Sequence, residues 1–331
     1  MTFSGKTIMI TGGTGSFGQE MVRHLMSGSD GVPDKIIIYS RDEFKQVQMI
    51  SHYGAFPNPI LRFFIGDVRD KARLYAAMKG VDYVFHAAAL KQVPLCEYNT
   101  FECVKTNILG AQNVIETAIS RGVKRVVALS SDKAVAPINL YGATKLVAEK
   151  MFTSSNVLGG RRTSFSAIRY GNVLASRGSV LQEFIEQAKS GEIFITDKRM
   201  TRFWWTLPQS VDFAITALEL MVGGEVFVPK IESASVRDLA SAVCPHCRVK
   251  EIGIRPGEKL HEFLVAPDES SRTYDCGWAY MVAPDNEFFE FKPKTFGNPV
   301  PDNWHYCSEN IARDDNVEWL KEMIENIFQE T

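Results

Sequence analysis

The segment Thr11-Gly12-Gly13-Thr14-Gly15-Ser16-Phe17-Gly18 constrains this chain more than any other feature. It follows a short apolar run, Lys6 to Thr11, and opens a helical pattern near Gln19. Gly12, Gly15 and Gly18 have the GxxGxxG spacing. Glycines permit the tight turn, and their missing side chains let backbone N–H groups reach a pyrophosphate at a helix N-terminus. A glycine cluster alone is a weak signal; strand, turn and helix in this order make it a dinucleotide site rather than a plain loop.

The following two hundred residues repeat the same unit. KIIIYS (35–40), LRFFIGD (61–67), YVFHAA (83–88), RVVALSS (125–131) and FSAIRYG (165–171) read as strands, with helical patterns starting near Phe44, Ala72, Phe101 and Gly142. Continuous apolar strands separated by helices imply a parallel sheet covered on both faces. The predicted fold is α/β, a Rossmann-type doubly wound parallel sheet with a smaller C-terminal α/β substrate lobe. Beyond about Asn172 the alternation loosens, but 208–222 still reads as a helix and GEVFVPK (224–230) as a strand. The expected division is therefore 1–173 plus about 208–230 for the cofactor domain, and about 174–207 plus 231–331 for the lobe.

Bulk properties narrow the class. The 331 residues carry a net charge of −2, which offers no footprint for nucleic acid or an anionic membrane. No apolar stretch approaches the roughly 20 residues of a membrane span, and no secretory leader opens the chain. A cytoplasmic enzyme is expected, with six free thiols. Cys244-Pro-His-Cys247 resembles half a zinc site, with His246 and His261 nearby. No second pair completes it, so no metal is assigned and packing is the expected role.

The tip of the second strand selects the cofactor. It reads Tyr39-Ser40-Arg41, with Lys45 one turn on, and lacks the carboxylate that holds the ribose hydroxyls of NAD. Arg41 can grip a 2′-phosphate, so NADP is expected; Asp42 and Glu43 fit the first turn of the next helix. Asp67-Val68 after the third strand and Ala87-Ala88-Ala89 after the fourth suit an adenine and ribose pocket, and His86 reads as a packed strand residue.

Tyr141-Gly-Ala-Thr-Lys145 starts a helix, and positions i and i+4 share a face. The lysine charge is expected to lower the phenol from about 10 so that it acts as a base. With the glycine turn and the strand end Ser130-Ser131, this resembles the extended short-chain dehydrogenase/reductase superfamily over essentially the whole chain. Asp132 and Lys133 follow that strand directly. An alcohol oxidase or epimerase needs no further acid or base there, whereas a dehydratase does: a ketone at sugar carbon 4 acidifies carbon 5, and the carbon-6 hydroxyl can then leave as water. The alternative for this pair is a capping Asp and a surface Lys.

The string from Ser131 to Lys145, together with HAAALKQVPLCE (86–97), KTNILGAQNVI (105–115), RYGNVLASRGSV (169–180), MTRFW (200–204) and IRPGEKLHE (254–262), resembles the inverting UDP-N-acetylglucosamine 4,6-dehydratases of pseudaminic acid biosynthesis. Retaining dehydratases carry Asp-Glu where this chain has Asp132-Lys133, and membrane-anchored relatives often carry Met where it has Tyr141. The resemblance implies an NADP-dependent lyase acting on UDP-N-acetylglucosamine and forming a homo-oligomer, a dimer or hexamer. It implies Tyr141 and Lys145 for oxidation at carbon 4, Lys133 as the carbon-5 base with a lowered pKa, and Asp132 as the acid. It extends the cofactor set to Lys91, Asn107, Ser130, Tyr170, Gly171, Asn172 and Val173. For the substrate it implies Lys91, Asn172, Val180, Arg199, Arg202, Arg255 and Glu258. Trp204 and Trp205 read as packing. A 4-epimerase or reductase of the same superfamily, or a non-catalytic NADP sensor, are the competing readings.

Overall fold

The computed structural model describes residues 2–54, 58–160, 162–284, 291–292, 297–310 and 313–329. The first half runs β1 (Thr7–Thr11), α1 (Ser16–Ser27), β2 (Lys35–Ser40), α2 (Glu43–Tyr53), β3 (Leu61–Ile65), α3 (Lys71–Ala77), β4 (Tyr83–His86), α4 (Val93–Tyr98), α5 (Thr100–Val104), α6 (Gly110–Arg121), β5 (Arg125–Leu129), α7 (Leu140–Ser154), α8 (Asn156–Gly159) and β6 (Ser164–Ile168). The second half runs β7 (Asn172–Val173), α9 (Val180–Ala188), β8 (Glu192–Ile195), β9 (Thr201–Trp205), α10 (Leu207–Leu220), β10 (Val226–Pro229), β11 (Ser233–Ser235), α11 (Val236–Val243), β12 (Arg248–Glu251), β13 (Phe263–Val265), β14 (Thr273–Asp275), β15 (Ala279–Val282), β16 (Asn298–Pro299), β17 (Tyr306–Cys307) and α12 (Asn316–Gln329).

The main sheet has the order β16-β14-β15-β10-β6-β5-β4-β1-β2-β3. The seven strands from β10 to β3 are parallel, and the order reverses between β1 and β4, where such sheets open a crevice at their carboxyl ends. Ile8, Ile10, Ile36, Ile38 and Phe85 face one helical layer, where α1 presents Met21, Val22 and Leu25. Met9, Ile37, Val84 and Val126 face the other, with Val114, Ile115 and Phe152. Both faces are thus dry, which is why these strands are apolar without alternation.

One boundary differs from expectation. β14, β15 and β16, assigned from sequence to the smaller lobe, continue the main sheet as antiparallel strands beyond β10. Strands of two to four residues do not announce which sheet edge they will join. Two of the small sheets, β11-β9-β7 and β12-β8, contribute to a separate apolar cluster built on Phe184, Ile193, Trp204 and Leu239, while β13-β17 packs Leu264, Val265 and Tyr306 against Phe203, Val226 and Val228.

Cys244 and Cys247 are also not the free thiols expected. They form a disulfide across the turn after α11, where a separation of three residues brings their Cα atoms to 5.3 Å. His246 lies with them, whereas His261 bonds Thr201 at 2.8 Å. No helix among the described residues is long and apolar enough to cross a membrane.

A buried ion network ties the sheet to the segment after β13. Arg169 follows β6 and pairs with Glu149 at 2.6 Å and Glu269 at 2.7 Å, while Ser130 donates to Glu149 at 2.7 Å. Arg169 and Glu149 are each 2% exposed. Arg169→Met should leave the buried Glu149 carboxylate without its cation, while Glu269 keeps Arg272 at 3.0 Å, at a cost of about 3–5 kcal/mol in urea unfolding. A loss below about 1 kcal/mol, the range of surface pairs, would show that the network carries no such weight.

Candidate active site

The carboxyl ends of β1, β2, β4, β5 and β6 open on one cleft of about 600 Å³. Its floor is the glycine turn. Gly12 has φ 68°, and a Cβ there would lie 2.9 Å from the Ala88 backbone. A Cβ on Gly18 would lie 2.5 Å from Gly13, so α1 packs on the turn only through glycine. Gly12, Thr14, Gly15, Ser16, Phe17 and Gly18 line the cleft, followed by Ser40, Arg41, Asp42 and Lys45, then Asp67 and Val68, then Ala87, Ala88 and Ala89.

At the β2 tip, Asp42 caps α2 by accepting from the Lys45 amide at 3.0 Å, and its carboxylate pairs with the Lys45 ammonium at 2.9 Å. Arg41 is half-exposed, 3.6 Å from Asp67. Burial would raise the Asp67 carboxyl, but hydrogen bonds from Arg69 outweigh it and hold it below the usual range. His86 is buried against Thr11 at 2.7 Å, and burial pushes its imidazole down to about 3, leaving a neutral packed ring.

The other wall carries titratable groups. β5 ends in Ser130-Ser131, and Ser131 caps a 3₁₀ turn, Asp132–Ala134. The loop then reverses through Ala136, at φ 44°, and Asn139 caps α7 by accepting from Gly142 at 2.7 Å. A Cβ on Gly142 would lie 2.1 Å from the Lys133 carbonyl oxygen, so the glycine lets α7 press on that turn and sets Tyr141 beside Asp132 and Lys133. Asp132 is 1% exposed; its Oδ1 accepts from Ser131 at 2.9 Å and from Lys133 Nζ at 3.0 Å. Ser130, Asp132, Lys133, Tyr141 and Lys145 all line the cleft.

The electrostatics differ from the sequence expectation in sign. Burial pushes the Tyr141 phenol up to about 12, beyond what Ser131 and the Lys133 charge take back. Lys145 does not reach the phenol; it donates to the Leu129 carbonyl, and burial lowers it to about 8. Lys133 is not lowered either. Burial opposes its charge, but Asp132 and Glu262 outweigh it and hold the ammonium above its ordinary value. A residue spacing records which groups meet, not how much water they lose.

Lys91, Tyr170, Gly171, Asn172, Val173 and Val180 also line the cleft. Three polar atoms on these walls, Asp132 Oδ2, Asn172 Oδ1 and Ser179 Oγ, are buried without a hydrogen-bond partner among the described residues. Buried polar groups are nearly always satisfied, so three orphans in one cleft fit a polar ligand.

Some expected residues stand back from it. Thr11 and Gly13 hold the turn from beneath, and Asn107 holds the Leu90 backbone and Thr144. Arg199 turns to Asp197 at 2.7 Å. Arg202 is buried and donates to the carbonyls of Thr201, Lys259 and Leu260, which anchors a lobe segment instead of offering a free guanidinium. Arg255 and Glu258 lie outside this lining, 3.9 Å apart; the Glu258 Oε2 is buried without a hydrogen-bond partner among the described residues. Trp204 and Trp205 are core, each 2% exposed, although Trp204 also reaches the cleft wall.

Sequence reasoning missed Arg177 and Glu262. Arg177 crosses to the glycine turn, its amide donating to Ser16 at 3.0 Å and its guanidinium to the Thr14 carbonyl at 3.4 Å. Its presence in RYGNVLASRGSV was the available signal. Glu262, in IRPGEKLHE, lies 3.7 Å from Lys133, and no local pattern announced that contact.

A glycine-turn cleft at a sheet switch point, with Tyr and Lys one helical turn apart on its wall, defines an extended short-chain dehydrogenase/reductase. Residues 8–284 match the model of a family described as "Polysaccharide biosynthesis protein". A "UDP-N-acetylglucosamine 4,6-dehydratase (inverting)" of Campylobacter jejuni subsp. jejuni serotype O:2 is 49% identical, covering 98% of each chain. A "UDP-glucose 4-epimerase" of Rickettsia akari is 44% identical over 86% of this chain and 84% of its own. The solved structure of Pen from Bacillus thuringiensis superposes with a TM-score of 0.90 at 36% identity, covering 98% of each chain. The chain belongs to this polysaccharide biosynthesis family.

Proposed function

We propose that the protein is an inverting UDP-N-acetylglucosamine 4,6-dehydratase, a cytoplasmic NADP-dependent lyase. Its product is the 4-keto-6-deoxy sugar UDP-2-acetamido-2,6-dideoxy-β-L-arabino-hex-4-ulose, the first intermediate toward pseudaminic acid or a related 6-deoxy sugar. The observation that carries this reading is the Asp132–Lys133 pair, a buried carboxylate 3.0 Å from a partly exposed ammonium in the same cleft as Tyr141 and Lys145. Four groups suit a reaction that needs two proton transfers beyond alcohol oxidation.

The glycine cradle, Arg41, Lys45 and Arg177 would hold the cofactor, with Asp67 and Val68 at the adenosine end. A bound nicotinamide supplies hydride acceptance from carbon 4 and hydride return at carbon 6. Tyr141 takes the carbon-4 hydroxyl proton, and Lys145 holds the site around it. Lys133 removes the carbon-5 proton. Asp132 gives a proton to the carbon-6 oxygen, which leaves as water. Arg255 and Glu258 would grip the UDP phosphate and ribose, with Lys91 and Asn172 toward the sugar. Exposed Leu95 and Tyr98 on α4 and Phe101 on α5 support a homo-oligomer.

NMR of the product from UDP-N-acetylglucosamine tests the reading: a carbon-6 methyl group and the L-arabino configuration at carbon 5 are expected. The Rickettsia relative gives a 4-epimerase reading some weight, but that reaction leaves Asp132 and Lys133 without a task. Recovery of a carbon-4 epimer with its carbon-6 hydroxyl intact would establish it instead.

The NADP preference has its own test. Arg41→Asp replaces a charge-assisted phosphate contact, worth about 1.5–3 kcal/mol, with a repulsive carboxylate. NADP⁺ affinity should fall roughly ten- to a hundredfold in fluorescence titration while NAD⁺ affinity holds or rises. Unchanged NADP⁺ affinity would remove Arg41 from the 2′-phosphate.

A further inference from the structure

Glu262 is a lobe residue 2% exposed, and the fold holds its backbone firmly: its amide donates to Ser308 Oγ at 2.9 Å, and the Ser308 amide donates back to its carbonyl at 2.9 Å. Its carboxylate faces two cations. Oε1 lies 3.7 Å from Lys133 Nζ, and Oε2 lies 3.4 Å from Lys259 Nζ without a hydrogen-bond partner among the described residues. Lys259 gives its hydrogen bond to the Val135 carbonyl at 2.6 Å, two residues beyond Lys133. Asn139 donates to the Gly257 carbonyl at 2.8 Å. The segment carrying Arg255 and Glu258 is thus pinned onto the loop carrying the acid and the base.

Burying a carboxylate costs several kcal/mol unless cations face it. Here one of the two facing cations is the side chain that must act as base. The groups around Lys133 are Asp132 and Glu262, which favour its charge, Arg202, which opposes it, and the neutral Tyr141. Lys91 also feels the Lys133 charge.

On the dehydratase reading, Lys133 must be neutral when the carbon-5 proton is taken and cationic afterwards. Transfer of one proton from Lys133 Nζ to Asp132 Oδ1 creates both catalysts: a free amine and a carboxylic acid. The amine then bonds the carbon-5 proton, the released pair forms the carbon-5–carbon-6 double bond, the carbon-6–oxygen bond breaks, and Asp132 protonates that oxygen to give water. Asp132 has no negative charge while it holds that proton. Without a second carboxylate, the ammonium forming on Lys133 would face no counter-charge at the moment it needs one.

We propose that Glu262 is a positioning residue for the base: a lobe carboxylate that aims Lys133 and stabilises its cationic form while Asp132 serves as the acid. This rests on the dehydratase reading above. It also joins the segment proposed to grip UDP to the base in one rigid piece of backbone.

The test uses the cofactor-loaded enzyme with lysines ¹³C-labelled at Cε, the Lys133 resonance being assigned by its loss in Lys133→Met. In Glu262→Gln the Lys133 titration midpoint should move down by about one pH unit. Carbon-5 deuterium uptake from UDP-N-acetylglucosamine in heavy water should fall roughly tenfold relative to carbon-4 oxidation. Glu262→Asp, which keeps the charge, should restore part of both. An unmoved Lys133 midpoint in Glu262→Gln, or in Glu262→Ala should the Gln variant not fold, overturns the proposal. A wild-type enzyme that takes up no deuterium at carbon 5 instead overturns the dehydratase reading, and the NMR titration still decides whether Glu262 acts on Lys133.

Discussion

Lys133→Met is expected to halt turnover after the first oxidation, with the 4-keto sugar accumulating and its carbon-6 hydroxyl still in place. Methionine roughly keeps the stem but removes the amine. Tyr141 and Lys145 lie on α7 and keep their own contacts, so oxidation at carbon 4 should survive in part. Asp132 loses its 3.0 Å partner and becomes a buried carboxylate held only by Ser131. The acid of the pair is then left with no base to work with. Loss of the general base costs about 10²- to 10⁴-fold. The measurements are absorbance of the reduced nicotinamide, and mass spectrometry of the sugar in heavy water. Normal yields of deuterated, dehydrated product would eliminate Lys133 as the essential base and leave Asp132 or a water to explain the chemistry.

Tyr141→Phe should fail one step earlier. Lys145 is turned to the Leu129 carbonyl, and Lys133 is assigned to the carbon-5 proton. Single-turnover oxidation should drop about 10²- to 10⁴-fold, with no 4-keto sugar formed. The wild-type step should also depend on pH in a definite direction. Burial raises the phenol to about 12, so the reactive phenolate grows as pH rises, and oxidation should accelerate from neutral toward alkaline pH. Oxidation at the wild-type rate in the Phe variant, or a rate falling with pH over that range, would exclude Tyr141 as the base.

Much of the candidate site was legible because its residues are close in sequence. Asp132 and Lys133 are adjacent at a strand end, and Tyr141 and Lys145 are one helical turn apart; local geometry alone brings each pair together. Asp42 at the start of α2, where it proves to be the cap and not a first-turn residue, and His86 as a packed residue also followed from local rules. Arg202 was misjudged for the opposite reason. A cation in MTRFW looks available for phosphate, but its guanidinium meets three carbonyls, two of them on a segment nearly sixty residues away. The CPHC motif could not reveal from spacing alone whether it would close on itself, which the turn after α11 allows.

The sequence by itself determined the parallel sheet, the glycine cradle and the pairing of the residues proposed as acids and bases. Each depends on apolar runs, glycine placement or spacings of a few residues, and these act through local backbone geometry. Only the tertiary structure decided the rest. It carried β14 to β16 onto the main sheet, brought Glu262 from the lobe to within 3.7 Å of Lys133, and crossed Arg177 over the glycine turn. It also set the sign of the electrostatics, raising Tyr141 and Lys133 where the sequence suggested lowering both. Proton affinity depends on water excluded and on charges delivered from distant segments, and neither is written in the residues adjacent to the group that titrates.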